Sequence, residues 1–348
     1  MSALTSWIWL SEASILVTVG VSAEAGISVR PCSWMSTSAI ARRAYKSATT
    51  DAPLAEVDIQ EQGLTEIPAS ALTPTVTKIE ASDNQIQEVK ADIAAAANLE
   101  ELLLYKNKIK TVDPAIGQLK KLKVLNLFNQ GVLAKLPWAE LGGLGELEEL
   151  NLAANKIMMI PDAAFAGLSS LKILSINDNR LVRLGSLMPL TSLEELRLYN
   201  NNLEEMPAVD AANLTVLELN KNRIPSIPSD CFLKTPALER LVMPGCMLEV
   251  VPASLASCAN LQILQLQDNK LTAFEEATWD MLTKLKTVFL QGNPDLTVPI
   301  SLGLCRALTR INAPTADNEL AETFKKLALA SPEGIFWGSD GVAQKGSK

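Results

Sequence analysis

The chain has 348 residues, of which 48% are hydrophobic, 20% charged and 5% aromatic, and it carries a net charge of −8. This is the profile of a folded chain rather than a disordered one, and its acidic balance argues against binding a nucleic-acid backbone, which depends on Lys and Arg. It contains no histidine, which removes Ser-His-Asp and Cys-His catalysis and every His-containing metal site.

The first element in chain order is a segment without repeats, residues 1–50. From Ile27 to Thr50 there is no acid, and Arg30, Arg42, Arg43 and Lys46 stand among Ser, Thr and Ala. That composition is similar to a mitochondrial or plastid transit peptide, with Arg43-Ala-Tyr45 before Lys46 resembling a matrix-processing site. Two alternatives stay open. The short apolar run Ile15–Val21, followed by Ser22-Ala23, is a weak secretory signal, with Glu12 and no preceding Lys or Arg against it. The segment can also be an irregular tail, or an extension ahead of a start at Met35. The run is far below the roughly 18 residues of a membrane span, so no transmembrane segment is expected.

The repeats follow. Leu99–Val112 reads LxxLxLxxNxLxxL, with Asn107 at the N position. The frame returns at Leu147–Ile160 (Asn155), Leu171–Leu184 (Asn179), Leu193–Met206 (Asn201), Leu214–Ile227 (Asn222) and Leu261–Phe274 (Asn269). Looser copies centre on Gln62, Asn84, Gln130, Cys246 and Asn293, making eleven copies with a mean period of about 23 residues. The two apolar residues of LxL share one face of a short strand. Stacked in parallel, successive strands bury that face in one continuous core that a single repeat cannot form alone. The Asn follows the strand where the chain turns, and its amide can pair backbone groups there. Cys246 offers only a weak donor. After the turn the chain returns through forms such as Ile160-Pro-Asp-Ala-Ala-Phe165, with Phe232 and Trp279 at the Phe165 position. These are expected to form short helical turns backed by an apolar spine. Single-residue insertions at Gly131-Val132 and Pro294-Asp295 are expected to bulge the array locally.

These copies resemble the leucine-rich repeat family over roughly residues 54–313, and the period of about 23 is similar to its cytoplasmic Ras-group and scaffold members. The resemblance implies an α/β solenoid, a horseshoe with a parallel β-sheet on its concave side and short helical turns on its convex side. It also implies that the concave face binds a protein. The solenoid is expected over residues 51–318. Residues 319–348 are expected to hold a capping helix and a tail: Asp317 or Asn318 would cap a helix to about Ala330, with Leu320, Phe324 and Leu327 on one face. Phe336 and Trp337 would pack back onto that cap, and Gly341–Lys348 reads as disordered.

The remaining motifs are weak. The five cysteines are Cys32, Cys231, Cys246, Cys258 and Cys305, an odd count with no CxxC. This is neither a disulfide framework nor a zinc site and favours a reducing compartment. Gly142-Gly-Leu-Gly145 lacks the third glycine of a dinucleotide motif, and Asn213-Leu-Thr215 is a glycosylation sequon whose Leu214 belongs to the core frame. No cofactor, metal or catalytic set is expected, and the roughly 30 residues beyond the repeats are too few for a catalytic domain.

The candidate partner-binding residues are the outward positions around LxL. Leu103 and Tyr105 share a face of one strand, and Val124 and Phe128 are expected beside them on the next, as an apolar patch. Arg197 and Tyr199 form a second candidate. Glu56, Asp58, Glu61, Glu80 and Asp83 make the first repeats acidic, a solvated face or one that steers a basic partner. The aromatics can instead be covered by residues 1–50, or serve no partner. The expected function is a non-catalytic intracellular scaffold, adaptor or regulatory subunit. The alternative is a structural subunit of a mitochondrial or plastid assembly.

Overall fold

A computed structural model describes residues 55–274, 279, 281–298, 302, 305 and 307–312, together with the backbone of the strands Thr5–Leu10, Ile15–Ser22, Gly26–Arg30, Ile335–Trp337 and Val342–Lys345. The chain divides into two compact units, Met1–Asp58 and Ile59–Lys348.

In the first unit, Thr5–Leu10, Ile15–Ser22 and Gly26–Arg30 form an antiparallel sheet in chain order. An irregular tail was one expectation for this segment. Its strands are instead rich in the β-branched and aromatic residues that favour extended backbone, such as the run Ile15-Leu-Val-Thr-Val-Gly-Val. The stretch that resembles a processing site, residues 42–47, lies outside the described residues.

The second unit is the solenoid. Its sheet holds eleven parallel three-residue strands from Lys78–Glu80 to Arg310–Asn312, each paired in register with the next. The register aligns the same frame position on every rung: Leu102 faces Leu125, Leu125 faces Leu150, and Leu150 faces Leu174. These central residues are at most 2% exposed across the sheet. The period-2 alternation therefore works as expected, with LxL inward and its flanking residues on the concave face. Each buried leucine is worth roughly 1.5–3 kcal/mol.

Among the described residues four return segments hold a 3₁₀ turn, as at Ala91–Ala95, Pro114–Gln118 and Ala253–Ser257, one holds a four-residue α-helix at Trp138–Leu141, and others return through hydrogen-bonded turns. Asp113 caps its turn by accepting from the Ala115 N–H at 2.8 Å. Phe165, Phe232 and Trp279 are fully buried behind the sheet and form the expected spine. Among the described residues no helix is long and apolar enough to cross a membrane.

The ladder is the second source of cohesion. Asn155 Nδ2 donates to the carbonyls of Leu127 (2.9 Å), Leu152 (2.9 Å) and Ala153 (3.2 Å), and its Oδ1 accepts from the Gln130 N–H. One side chain thus closes its own turn and ties it to the turn before. Asn84, Asn107, Asn179, Asn201, Asn222, Asn269 and Asn293 repeat this geometry. Gln130 does the same with one more methylene, donating to the Leu104 and Phe128 carbonyls. The residue before every ladder position takes a left-handed conformation, from Glu61 (φ 55°) to Asp268 (φ 57°), and glycine takes it at Gly245 and Gly292. At Gly131–Val132 the rung-to-rung bond moves on by one residue, with the Lys156 N–H donating to Leu133.

Asn155→Ala should strand at least one buried carbonyl and the Gln130 N–H, and cost roughly 1–3 kcal/mol. A urea midpoint unchanged within error would contradict this.

The ladder expectation needs amending at Gln62, while Cys246 is the weak donor expected. Gln62 is exposed, and its part is played by its backbone N–H, which donates to Asn84 Oδ1 at 2.9 Å. A ladder side chain bonds to the turn before it, and Gln62 stands on the first turn of its unit. Cys246 Sγ donates to the Leu219 carbonyl at 3.2 Å but accepts nothing. The buried Ile224 N–H, which an asparagine at 246 would satisfy, has no hydrogen-bond partner among the described residues. Cys246→Asn is therefore expected to raise the thermal midpoint, or at worst leave it unchanged.

At the other end, the expected helix at 317–330 lies outside the described residues. One expectation further on does not hold. In place of a disordered end, Val342–Lys345 forms a strand antiparallel to Arg310–Asn312, and Ile335–Trp337 pairs with it in turn. The edge of the last parallel strand is thereby paired rather than left open.

Candidate functional site: the concave face

The concave face carries three outward positions per rung. On Glu101–Leu103 and its continuation they are Glu101, Leu103 and Tyr105. On the next strand they are Val124, Asn126 and Phe128. Glu101 aligns with Val124 and Leu103 with Asn126. Tyr105 stands beside Phe128, because the Lys106 N–H bonds to the Phe128 carbonyl at 2.8 Å. All four apolar candidates are half-buried, with one side open.

The expected patch is thus not continuous. Asn126 lies between Val124 and Phe128, directly opposite Leu103, and its Oδ1 accepts from the Phe128 N–H at 3.0 Å. What remains is an aromatic pair, Tyr105 with Phe128, bordered by Leu103 and separated from Val124 by one amide. The Lys106 ammonium lies 5.9 Å from the Tyr105 ring centroid.

Arg197 and Tyr199 share a strand four rungs on, about 19 Å away at the ordinary strand spacing. Arg197 is not a free cation. Its guanidinium bonds Glu195 on the same strand and lies 3.9 Å from Glu218, which also faces Arg240 at 3.2 Å. Sequence reading isolated Arg197 and missed this alternation of Glu195, Arg197, Glu218 and Arg240, although all four occupy outward positions of the same frame. Burial, followed by the carboxylates of Asp178 and Glu218, pushes the Tyr199 hydroxyl above the ordinary tyrosine range.

Other outward features carry less. The acidic start of the face is partly neutralised, with Lys78 bonded to Glu101 and Lys106 to Asp83. An apolar group that the frame did not flag, Met158, Met159 and Val182, stands exposed on the turn edge, where the Val182 N–H donates to the Met158 carbonyl at 3.0 Å.

Cys231, Cys246, Cys258 and Cys305 are free thiols. Burial pushes Cys231 up to about 12, and Cys246 and Cys258 up to about 11. Thiolate is the reactive form, so iodoacetamide at pH 8 should label none of these three in the folded chain and all three in urea. Rapid labelling without denaturant would contradict the burial of Cys246 and Cys258 and the raised thiol of the half-buried Cys231.

Two family models match. One, described as leucine rich repeat, covers residues 145–203, and the other, a BspA type leucine rich repeat region, covers residues 206–324. Together they span just over half of the chain. Keratocan of Coturnix japonica is 32% identical over 61% of this chain, and podocan of Mus musculus is 29% identical over 68%. The matched part spans 61% of keratocan and 43% of podocan. The solved structure of a leucine-rich repeat protein from Leptospira interrogans superposes with a TM-score of 0.54 at 24% identity, covering 79% of this chain and 82% of that one. That likeness carries the fold alone. The comparisons support the repeat family and not the narrower likeness to its cytoplasmic Ras-group members.

Proposed function

The chain belongs to the leucine-rich repeat family, and from that premise we propose that it is a non-catalytic protein-binding module that holds its partner on the concave face. The observation that carries this reading is the half-buried pair Tyr105 and Phe128, adjacent on neighbouring rungs of the laddered sheet. Aromatic rings of this kind make the anchors of protein interfaces because they bring large apolar area at little entropic cost. Arg197 and Tyr199 extend the surface and set orientation through the neighbouring carboxylates rather than supplying a free charge.

In this reading the chain serves inside the cell as a scaffold, adaptor or regulatory subunit, and the four cysteines among the described residues, all free, support that address. The partner is a protein, and the acidic balance of the whole chain disfavours a nucleic acid. The test is affinity capture with the intact chain and with Tyr105→Ser/Phe128→Ser, compared by mass spectrometry. A partner set lost in the variant supports the reading.

A further inference from the structure

Away from the concave face, the turn edge of the third repeat reads Lys106-Asn-Lys108-Ile-Lys110. Asn107 and Ile109 point inward and are buried, so period 2 throws all three lysines outward, and all three are exposed. They line an open cleft of about 460 Å³ together with Gln85, Asn129 and Gly131. No residue of the lining is acidic. The cleft exists because of the insertion. The position after the ladder residue is basic at Lys108, Lys156, Arg180, Arg223 and Lys270, but on the intervening rung it is Gly131, which has open space where a side chain would begin.

Lys156, Arg180, Arg223 and Lys270 on the same turn edge also have no ion-pair partner among the described residues, but the third repeat sets three exposed lysines in alternation around one cleft. Along the edge that precedes the strands, signs alternate and neutralise each other: Lys123 pairs with Glu100 at 2.8 Å and Lys172 with Glu148 at 2.7 Å. In the cleft only Lys106 has a carboxylate, Asp83 at 3.3 Å. Lys108 and Lys110 have no ion-pair partner among the described residues. In a chain of net charge −8, concentrated like charge beside free amide donors is what a multiply charged anion would neutralise.

We propose that this cleft binds a small polyphosphorylated molecule, its phosphate groups held by Lys108 and Lys110 and by the amides of Gln85 and Asn129. The volume suits a small ligand. The side chains of Asn107 and Gln130 in the floor are already committed to the ladder, so binding needs no rearrangement of the fold. This site is separate from the concave face and can be tested without knowing the protein partner.

The experiment is calorimetric titration of the full chain with tripolyphosphate and with inositol hexakisphosphate at constant ionic strength. Saturable binding of one ligand per chain is expected, weakened at least ten-fold in Lys108→Gln/Lys110→Gln and unchanged in Lys270→Gln. The three lysines are exposed, so thermal melts of both variants should match the parent. The tighter of the two probes identifies the source as a linear polyphosphate or a phosphorylated polyol. Absence of saturable binding, or an equal loss in Lys270→Gln, would overturn the site, the latter by assigning the effect to diffuse charge along the edge.

Discussion

Phe165→Ala should destabilise the chain by about 3–5 kcal/mol. Phe165 is fully buried and meets Trp138 edge to face, with centroids 6.3 Å apart and planes at 70°. Removing the ring takes away its transfer energy and leaves a cavity in the spine. The ladder and the strands above hold the walls of that cavity in place, so little collapse can refill it. Each repeat touches only its neighbours, so the damage should concentrate between residues 130 and 200 rather than spread evenly. Hydrogen exchange should show protection lost there first, and urea unfolding should shift to a lower midpoint or split into two transitions. Phe165→Leu should recover most of the loss. A cost below 1 kcal/mol would mean that the return segment relaxes freely and that the spine is not a source of stability.

The parts of the fold that sequence reading captures are those that repeat. The strand at Glu149–Asn151 is only three residues long and would not be recognised alone. It is legible because Leu147, Leu150, Leu152 and Asn155 recur at the same offsets on neighbouring rungs. The spine residues Phe165, Phe232 and Trp279 are legible for the same reason. Where the pattern stops, so does the reading: the antiparallel strands at residues 5–30, and the pairing of Val342–Lys345 on the last parallel strand, depend on contacts between segments that share no periodic signal.

The candidate site divides along the same line. The frame placed Tyr105 and Phe128 on one face and neighbouring rungs, because alternation and register fix which way each side chain points. It did not resolve Asn126 as a break in the patch, since that depends on which residues stand opposite each other. It did not show that Arg197 is held by Glu195 and Glu218, since ion pairs across rungs depend on rotamers. The lysine cleft was hidden because it arises from one inserted residue rather than from any motif.

The second large effect concerns binding. Tyr105→Ser/Phe128→Ser should leave folding nearly intact, because both rings stand outside the LxL core and half-exposed substitutions there usually change stability by about 0.5 kcal/mol or less. Binding should fall much further. An aromatic anchor at an interface commonly contributes 2 kcal/mol or more, roughly a thirty-fold change in affinity for each ring. If the two are independent, the loss approaches a thousand-fold. The rings are adjacent, so coupling between them can reduce that figure. Arg197→Ala should weaken binding less, since its guanidinium is already engaged by Glu195.

The central claim is that the concave aromatic pair is the partner-binding surface, and one paired measurement tests it most directly. The partner captured by the intact chain is titrated against the parent and the double variant, with thermal melts of both recorded under the same conditions. The account predicts affinity lower by at least thirty-fold with superimposable melts. Affinity retained with an unchanged melt would contradict it and move the interface off this face, while a melt lowered by many degrees would show that the two rings serve the chain's own packing instead.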